Sequence, residues 1–281
     1  MPAEPYTNLR RLLMGTAIFR PLLMPLYERR FSRNCTGCFR GVYKSFAEAN
    51  LAAPKNKPLG FNCPEYAREF KDRLTKVFSF DYPMLFWLSG LMAKGCRIFD
   101  LGGHAGTHFY AYAKYLTYPP GLAWVVCDVP EITQAGEELA RKNNQPAISF
   151  TNRIQDASGS DILIAAGSLQ YIESPPLPVM LSKLERKPLH LLINKLPLYH
   201  GEQFVTLQNG GVAFHPQYVF NRDAFIESLI SIGYRVKDMW SVETHSGHIP
   251  FHPERSFQCH SGLYLTLDLR TSTQGQNLGP K

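Results

Sequence analysis

Three short stretches of this chain carry residue types whose spacing suits recognition of a nucleoside ligand. The first is Asp100-Leu101-Gly102-Gly103-His104-Ala105-Gly106. Gly102 permits a tight turn and Gly106 lets a helix begin close to a ligand, because neither carries a Cβ. The helix start offers free N–H groups to a carboxylate, and Asp100 can meet an ammonium directly or through a water. The second is Asp128, which closes Val125-Val126-Cys127 and precedes Val129. A carboxylate at a strand end accepts both hydroxyls of a ribose. The third is Ala166-Gly167-Ser168-Leu169-Gln170-Tyr171, whose backbone is expected to border the reactive end of the ligand.

Two cofactors compete for such a site. NAD sites use G-x-G-x-x-G so that the backbone can approach a pyrophosphate. Here the spacing is Gly102-Gly103-x-x-Gly106 with an acid ahead of it. An acid repels phosphate and suits the cationic methionine end of S-adenosylmethionine, which is therefore the expected cofactor. A non-catalytic nucleoside-binding protein and an NAD-dependent sugar-modifying enzyme are the alternatives. Methyl transfer to a hydroxyl also benefits from a general base. The expected catalytic set is His200, Glu202 and His215, with His200 paired to Glu202 in a loop overhanging the cofactor, while His104 shapes the pocket. No metal is expected. Cys35-x-x-Cys38 lacks a second pair at zinc-ribbon spacing and reads as two thiols in a loop.

The elements that must position these groups follow from periodicity. From Cys96 onward strands and helices alternate, which argues for a parallel sheet covered by helices on both faces. Strands are expected at 96–101, 122–127, 147–150, 161–166, 190–194, 234–240 and 263–269. The last two arrive without a helix between them, so the sheet is expected to be seven-stranded and mostly parallel with a final antiparallel strand. Helices are expected at 106–117, 131–143, 177–184 and 222–232, and residues 196–220 read as a long loop. Before residue 96, helices are expected at 43–53, 63–77 and 83–92. The expected organisation is a helical, partly amphipathic cap over residues 1–80, a main domain over 81–270 and a disordered polar tail over 271–281.

Charge separates the cap from the body. The net charge of the 281 residues is +7, and seven arginines against two glutamates place +5 of it within residues 1–40. A nucleic-acid enzyme gathers basic charge about its cleft, so no nucleic-acid partner is expected. The stripe Leu12, Leu13, Ile18, Leu22, Leu23 and Leu26 is interrupted by arginines and prolines and makes a poor membrane span. It suits a helix lying on an anionic membrane surface, or one packed against the protein's own core. The expected location is cytoplasmic, with peripheral contact at the inner membrane face.

The loop resembles motif I of class I S-adenosylmethionine-dependent methyltransferases, an acid followed by three alternating glycines. Asp100, Gly102 and Gly106 match it, with His104 at the middle glycine. That resemblance implies a Rossmann-like sheet, a ribose-binding acid at Asp128 and a substrate-facing segment at Ala166–Tyr171. Gly41–Ala49, Phe99–Gly103, Gly167–Tyr171 and Asn194–Leu198 are similar to a narrower family of bacterial methyltransferases often encoded near surface-polysaccharide genes. This second resemblance implies O-methylation of a saccharide or lipid-linked glycan.

Overall fold

The computed structural model describes residues 19–33, 35–68 and 73–268. Helix α1 (Arg20–Arg33), strand β1 (Phe39–Tyr43), and helices α2 (Phe46–Ala52) and α3 (Pro64–Arg68) precede the main sheet. Then come α4 (Tyr82–Leu91), β2 (Arg97–Leu101), α5 (Thr107–Tyr112), β3 (Ala123–Cys127), α6 (Pro130–Lys142) and β4 (Ile148–Thr151). They are followed by β5 (Ile162–Ala166), α7 (Leu177–Ser182), β6 (His190–Leu196), β7 (Leu198–Tyr199), β8 (Phe204–Asn209) and β9 (Phe214–Asn221). Helix α8 (Arg222–Ile230) and strands β10 (Tyr234–Val242) and β11 (His260–Leu267) complete the fold.

The main sheet has seven strands in the order β10-β11-β6-β5-β2-β3-β4. Strands β4, β3, β2, β5 and β6 run parallel, and β11 is antiparallel to both of its neighbours. The chain starts in the middle at β2, winds outward to β4, then returns to the other side of β2 as β5. Ligands of open α/β sheets bind at such a reversal, beyond the carboxyl ends of the strands.

Two apolar layers hold the sheet. Phe99, Leu163, Leu191 and Ile193 on one face pack with α7 and α8 through Leu181 and Leu229. Ile98, Trp124, Val126 and Ile164 on the other pack with α4 and α5 through Leu88 and Phe109. Strand β5 is buried at every position, as a continuous apolar run in a doubly covered parallel strand requires.

The expected long loop over 196–220 is instead three strands. A second, four-stranded sheet has the order β1-β8-β9-β7. Strand β8 is antiparallel to β1 and β9, so the N-terminal segment and the insertion after β6 form one layer. The reason is pairing: β8 and β9 satisfy each other's backbone and gain β1 as a third partner, against a local content of glycine, proline and aromatics. The same pairing takes residues 39–43 into β1, so the helix expected from Tyr43 starts at Phe46, where Ser45 Oγ accepts from Glu48 N–H. The cap is therefore helical with one strand added. The helix expected over 63–77 is α3 alone within the described residues. Helix α5 stops at Tyr112, short of the expected Thr117. Cys35 and Cys38 are joined by a disulfide rather than standing as two thiols. Their tight turn, closed by Cys38 N–H to Cys35 O at 2.9 Å, holds the Cα atoms 5.4 Å apart, within disulfide reach. Leu12, Leu13, Ile18 and the 271–281 tail lie outside the described residues.

Candidate functional site

The loop between β2 and α5 stands at the reversal of strand order. Gly102 and Gly106 both take left-handed backbone, with φ of 74° and 85°. Their missing Cβ atoms serve packing: a Cβ on Gly102 would run into Ser168, and one on Gly106 would stand 2.5 Å from Ile148 Cδ1. His104 holds φ 55°, the conformation a glycine would adopt freely and a side chain pays to reach. His104 thus makes a left-handed turn in the middle of the loop. The imidazole hydrogen-bonds the backbone of Tyr66 on α3, and burial pushes its pKa down to about 4.

Asp128 ties this loop to the next strand. Its Oδ2 accepts from His104 N–H at 2.9 Å and its Oδ1 from Val129 N–H at 2.8 Å. Burial raises its pKa to about 6, against the lowering effect of those two bonds. Each oxygen keeps lone-pair capacity for a further donor.

Asp100 faces inward. Its carboxylate is fully buried, accepts from Trp124 Nε1 at 3.2 Å, and lies 3.0 Å from His108 Nδ1. A Cβ on Gly103 would strike it, so the backbone of the loop passes directly over the carboxylate. The Asp100 carboxylate therefore lies buried beneath the loop, with its hydrogen bonds committed to Trp124 and His108. Beside it, Asp81 accepts from Tyr112 O–H at 3.1 Å and Phe78 N–H at 2.9 Å.

The segment after β5 forms the adjoining wall. Gly167 has φ 83°, and Ser168 Oγ donates to Leu101 O at 2.6 Å, fastening this wall to the end of β2. Gln170 Nε2 reaches Lys195 O, and Tyr171 O–H donates to Gln208 of the second sheet at 2.7 Å.

Of the expected catalytic residues, only His215 is buried. It stacks on Phe61 at 3.9 Å, meets Tyr66 O–H through Nε2 at 2.9 Å, and has its pKa pushed down to about 4 by burial. The expected His200–Glu202 pair is not formed. His200 is 72% exposed and lies 3.8 Å from Asp223, while Glu202 is 84% exposed and meets Arg255 at 3.3 Å. The cause is the strand structure of 198–221, which leaves 200–203 as an exposed turn between β7 and β8.

Sequence reasoning missed Trp124, whose place beside Asp100 follows only from the parallel β2–β3 register, and the irregular end of β6. There Leu263 pairs with Ile193 and Ser261 with Leu196, so one extra residue of β6 bulges at Asn194–Lys195. The signal was Asn194-Lys195 itself, a polar pair ending an apolar strand. Among the described residues no group of three or more His, Cys, Asp or Glu is placed to hold a metal.

No protein-family model and no curated protein matches the chain. Among solved structures it is similar to an S-adenosylmethionine-dependent methyltransferase from Aquifex aeolicus, at 17% identity and TM-score 0.47, covering 73% of this chain and 99% of that one. It is also similar to the Burkholderia thailandensis 1,6-didemethyltoxoflavin-N1-methyltransferase, solved with S-adenosylhomocysteine, at 12% identity and TM-score 0.47, covering 67% and 78%. A third is the magnesium protoporphyrin IX methyltransferase of Synechocystis, at 12% identity and TM-score 0.44, covering 66% and 81%. Likenesses this distant leave the activity to be argued from this chain's own residues.

Proposed function

We propose that this chain is an S-adenosylmethionine-dependent methyltransferase acting on a hydroxyl of a saccharide or lipid-linked glycan. The observation that carries the reading is the His104–Asp128 bond at the reversal of strand order. It places a desolvated carboxylate with spare acceptor capacity against a left-handed loop that opens a helix. Asp128 and Val129 would hold the ribose, Gly102, Gly103, His104 and Gly106 the methionine end, and Gly167 and Ser168 the side nearest the transferred group. When bound, the cofactor supplies an electrophilic methyl group. The buried Asp100 anion favours a cation above the loop and opposes the pyrophosphate of NAD.

Helix α1 supports a further part of the reading, contact with an anionic membrane. It packs inward through Tyr27 and Phe31, yet leaves Leu22 and Leu26 69% and 64% exposed beside Arg29, Arg30 and Arg33. Among the described residues no helix is long and apolar enough to cross a membrane.

Calorimetric titration tests the cofactor. Saturable heat with S-adenosylmethionine and S-adenosylhomocysteine, and none with NAD, is the expected outcome. Binding of NAD with neither adenosyl compound overturns the proposal.

A further inference from the structure

Lys195 occupies an unusual position for a lysine. It stands at the carboxyl end of β6, in the bulge against Gly262, with φ 53°. Bulges re-aim side chains and gather beside active sites, and left-handed backbone at a non-glycine residue persists only where the surroundings enforce it. Here the enforcement is visible. Asn194 Oδ1 accepts from Lys195 N–H at 3.0 Å and from Trp240 Nε1 at 3.1 Å, while Asn194 Nδ2 donates to Phe80 O at 2.8 Å. The Trp240 indole reaches Asn194 across Gly262, where any Cβ would collide with it.

The side chain so aimed runs over the wall after β5. A Cβ on Gly167 would lie 3.1 Å from Lys195 Cε, and Nζ sits 5.2 Å from the centre of the Phe80 ring. Among the described residues Lys195 forms no ion pair. Asp81 and Asp100 favour its charged form from a distance, Arg73 opposes it, and burial outweighs both, lowering its pKa. His245, edge-on to Phe80, and His260 feel its charge in turn. A structural cation would be expected to carry a carboxylate partner. This amine is held over a glycine wall instead, where burial makes it easier to deprotonate than an exposed lysine.

We infer that the Lys195 amine lies at the point of methyl transfer and takes the proton of the acceptor hydroxyl. The O–H bond breaks and its electron pair forms the new C–O bond, the methyl C–S bond breaks with its pair left on sulfur as a neutral thioether, and the proton joins the amine lone pair, later passing to water. This inference rests on the cofactor reading above.

The test needs no acceptor, because the cofactor and its product differ by one charge. S-adenosylmethionine carries a sulfonium cation, and S-adenosylhomocysteine a neutral thioether. An ammonium beside the methyl group weakens the first relative to the second. At the low-pH end of the titration, where the amine carries its proton, removing it with Lys195→Met is expected to improve the affinity ratio in favour of S-adenosylmethionine about tenfold. In the wild-type chain that ratio is expected to rise with pH as the amine deprotonates, whereas Lys195→Arg keeps the low ratio and loses the pH dependence. Competitive acetylation of the unmutated chain, read by mass spectrometry, is expected to give Lys195 a midpoint below the ordinary lysine value of 10.5. If both ligands bind and Lys195→Met leaves their ratio unchanged, the inference is overturned and the cofactor reading stands. If neither ligand binds the wild-type chain, both fall together.

Discussion

Asp128 offers the sharpest test of the cofactor site, because its two roles move in opposite directions with pH. Its carboxyl is raised by burial from 3.8 to about 6. His104, pushed down to about 4, stays neutral across the range that matters. If the ribose hydroxyls donate to Asp128, only the ionised form binds them. At about pH 5, some one unit below that pKa, roughly a tenth of the carboxyl is ionised, so affinity for S-adenosylhomocysteine should fall about tenfold relative to neutral pH. Asp128→Asn should cost about 1–3 kcal/mol of binding at neutral pH and flatten this dependence. Stability runs the other way. A folded pKa above the unfolded value means that ionisation costs the fold, so this contribution is complete below about pH 4 and lost as pH rises through about 6. The change is about 3 kcal/mol between those limits. The difference in stability between wild type and Asp128→Asn, followed by urea unfolding, should track it. Wild-type affinity that stays level between about pH 5 and 7 would refute the placement of a ribose on Asp128.

Three other perturbations probe separate parts of the structure. Gly106→Ala should lose about 2–4 kcal/mol in urea unfolding, from left-handed strain and the clash with Ile148; a loss below about 0.5 kcal/mol would contradict the packing described. Trp124→Phe withdraws a donor from the fully buried Asp100 carboxylate and should cost about 1.5–3 kcal/mol, again by urea unfolding, and wild-type stability would show that this bond contributes nothing. Leu22→Asp with Leu26→Asp should abolish co-sedimentation with phosphatidylglycerol vesicles while shifting stability by less than about 0.5 kcal/mol each, since both side chains are exposed. Undiminished vesicle binding would remove α1 from any membrane contact.

Local pattern carried much of the main sheet. The runs at 97–101, 123–127 and 162–166 are apolar, bounded by turns and buried largely where the sequence places them. The antiparallel end of the sheet was legible because no α-helix separates β10 from β11, only one short 3-10 turn at Pro253–Arg255. Partner choice was not legible. Residues 204–221 became strands because β1, more than 160 residues away in the chain, supplied an edge, and no local period records so distant a partner. The site divided along the same line. Residue types alone put an acid, a glycine loop and a second acid at successive strand ends. Only the parallel register showed that Asp100 lies under the loop with Trp124 and His108, while Asp128 holds the loop from outside.

The sequence by itself determined where most strands of the main sheet run and which residues end them, because apolar runs and turn residues are local properties. Tertiary structure alone decided where those residues point. The strand pairing separated His200 from Glu202, and one extra residue in β6 turned Lys195 toward Gly167. Side-chain direction depends on register, and register is set by partners that a linear pattern does not name.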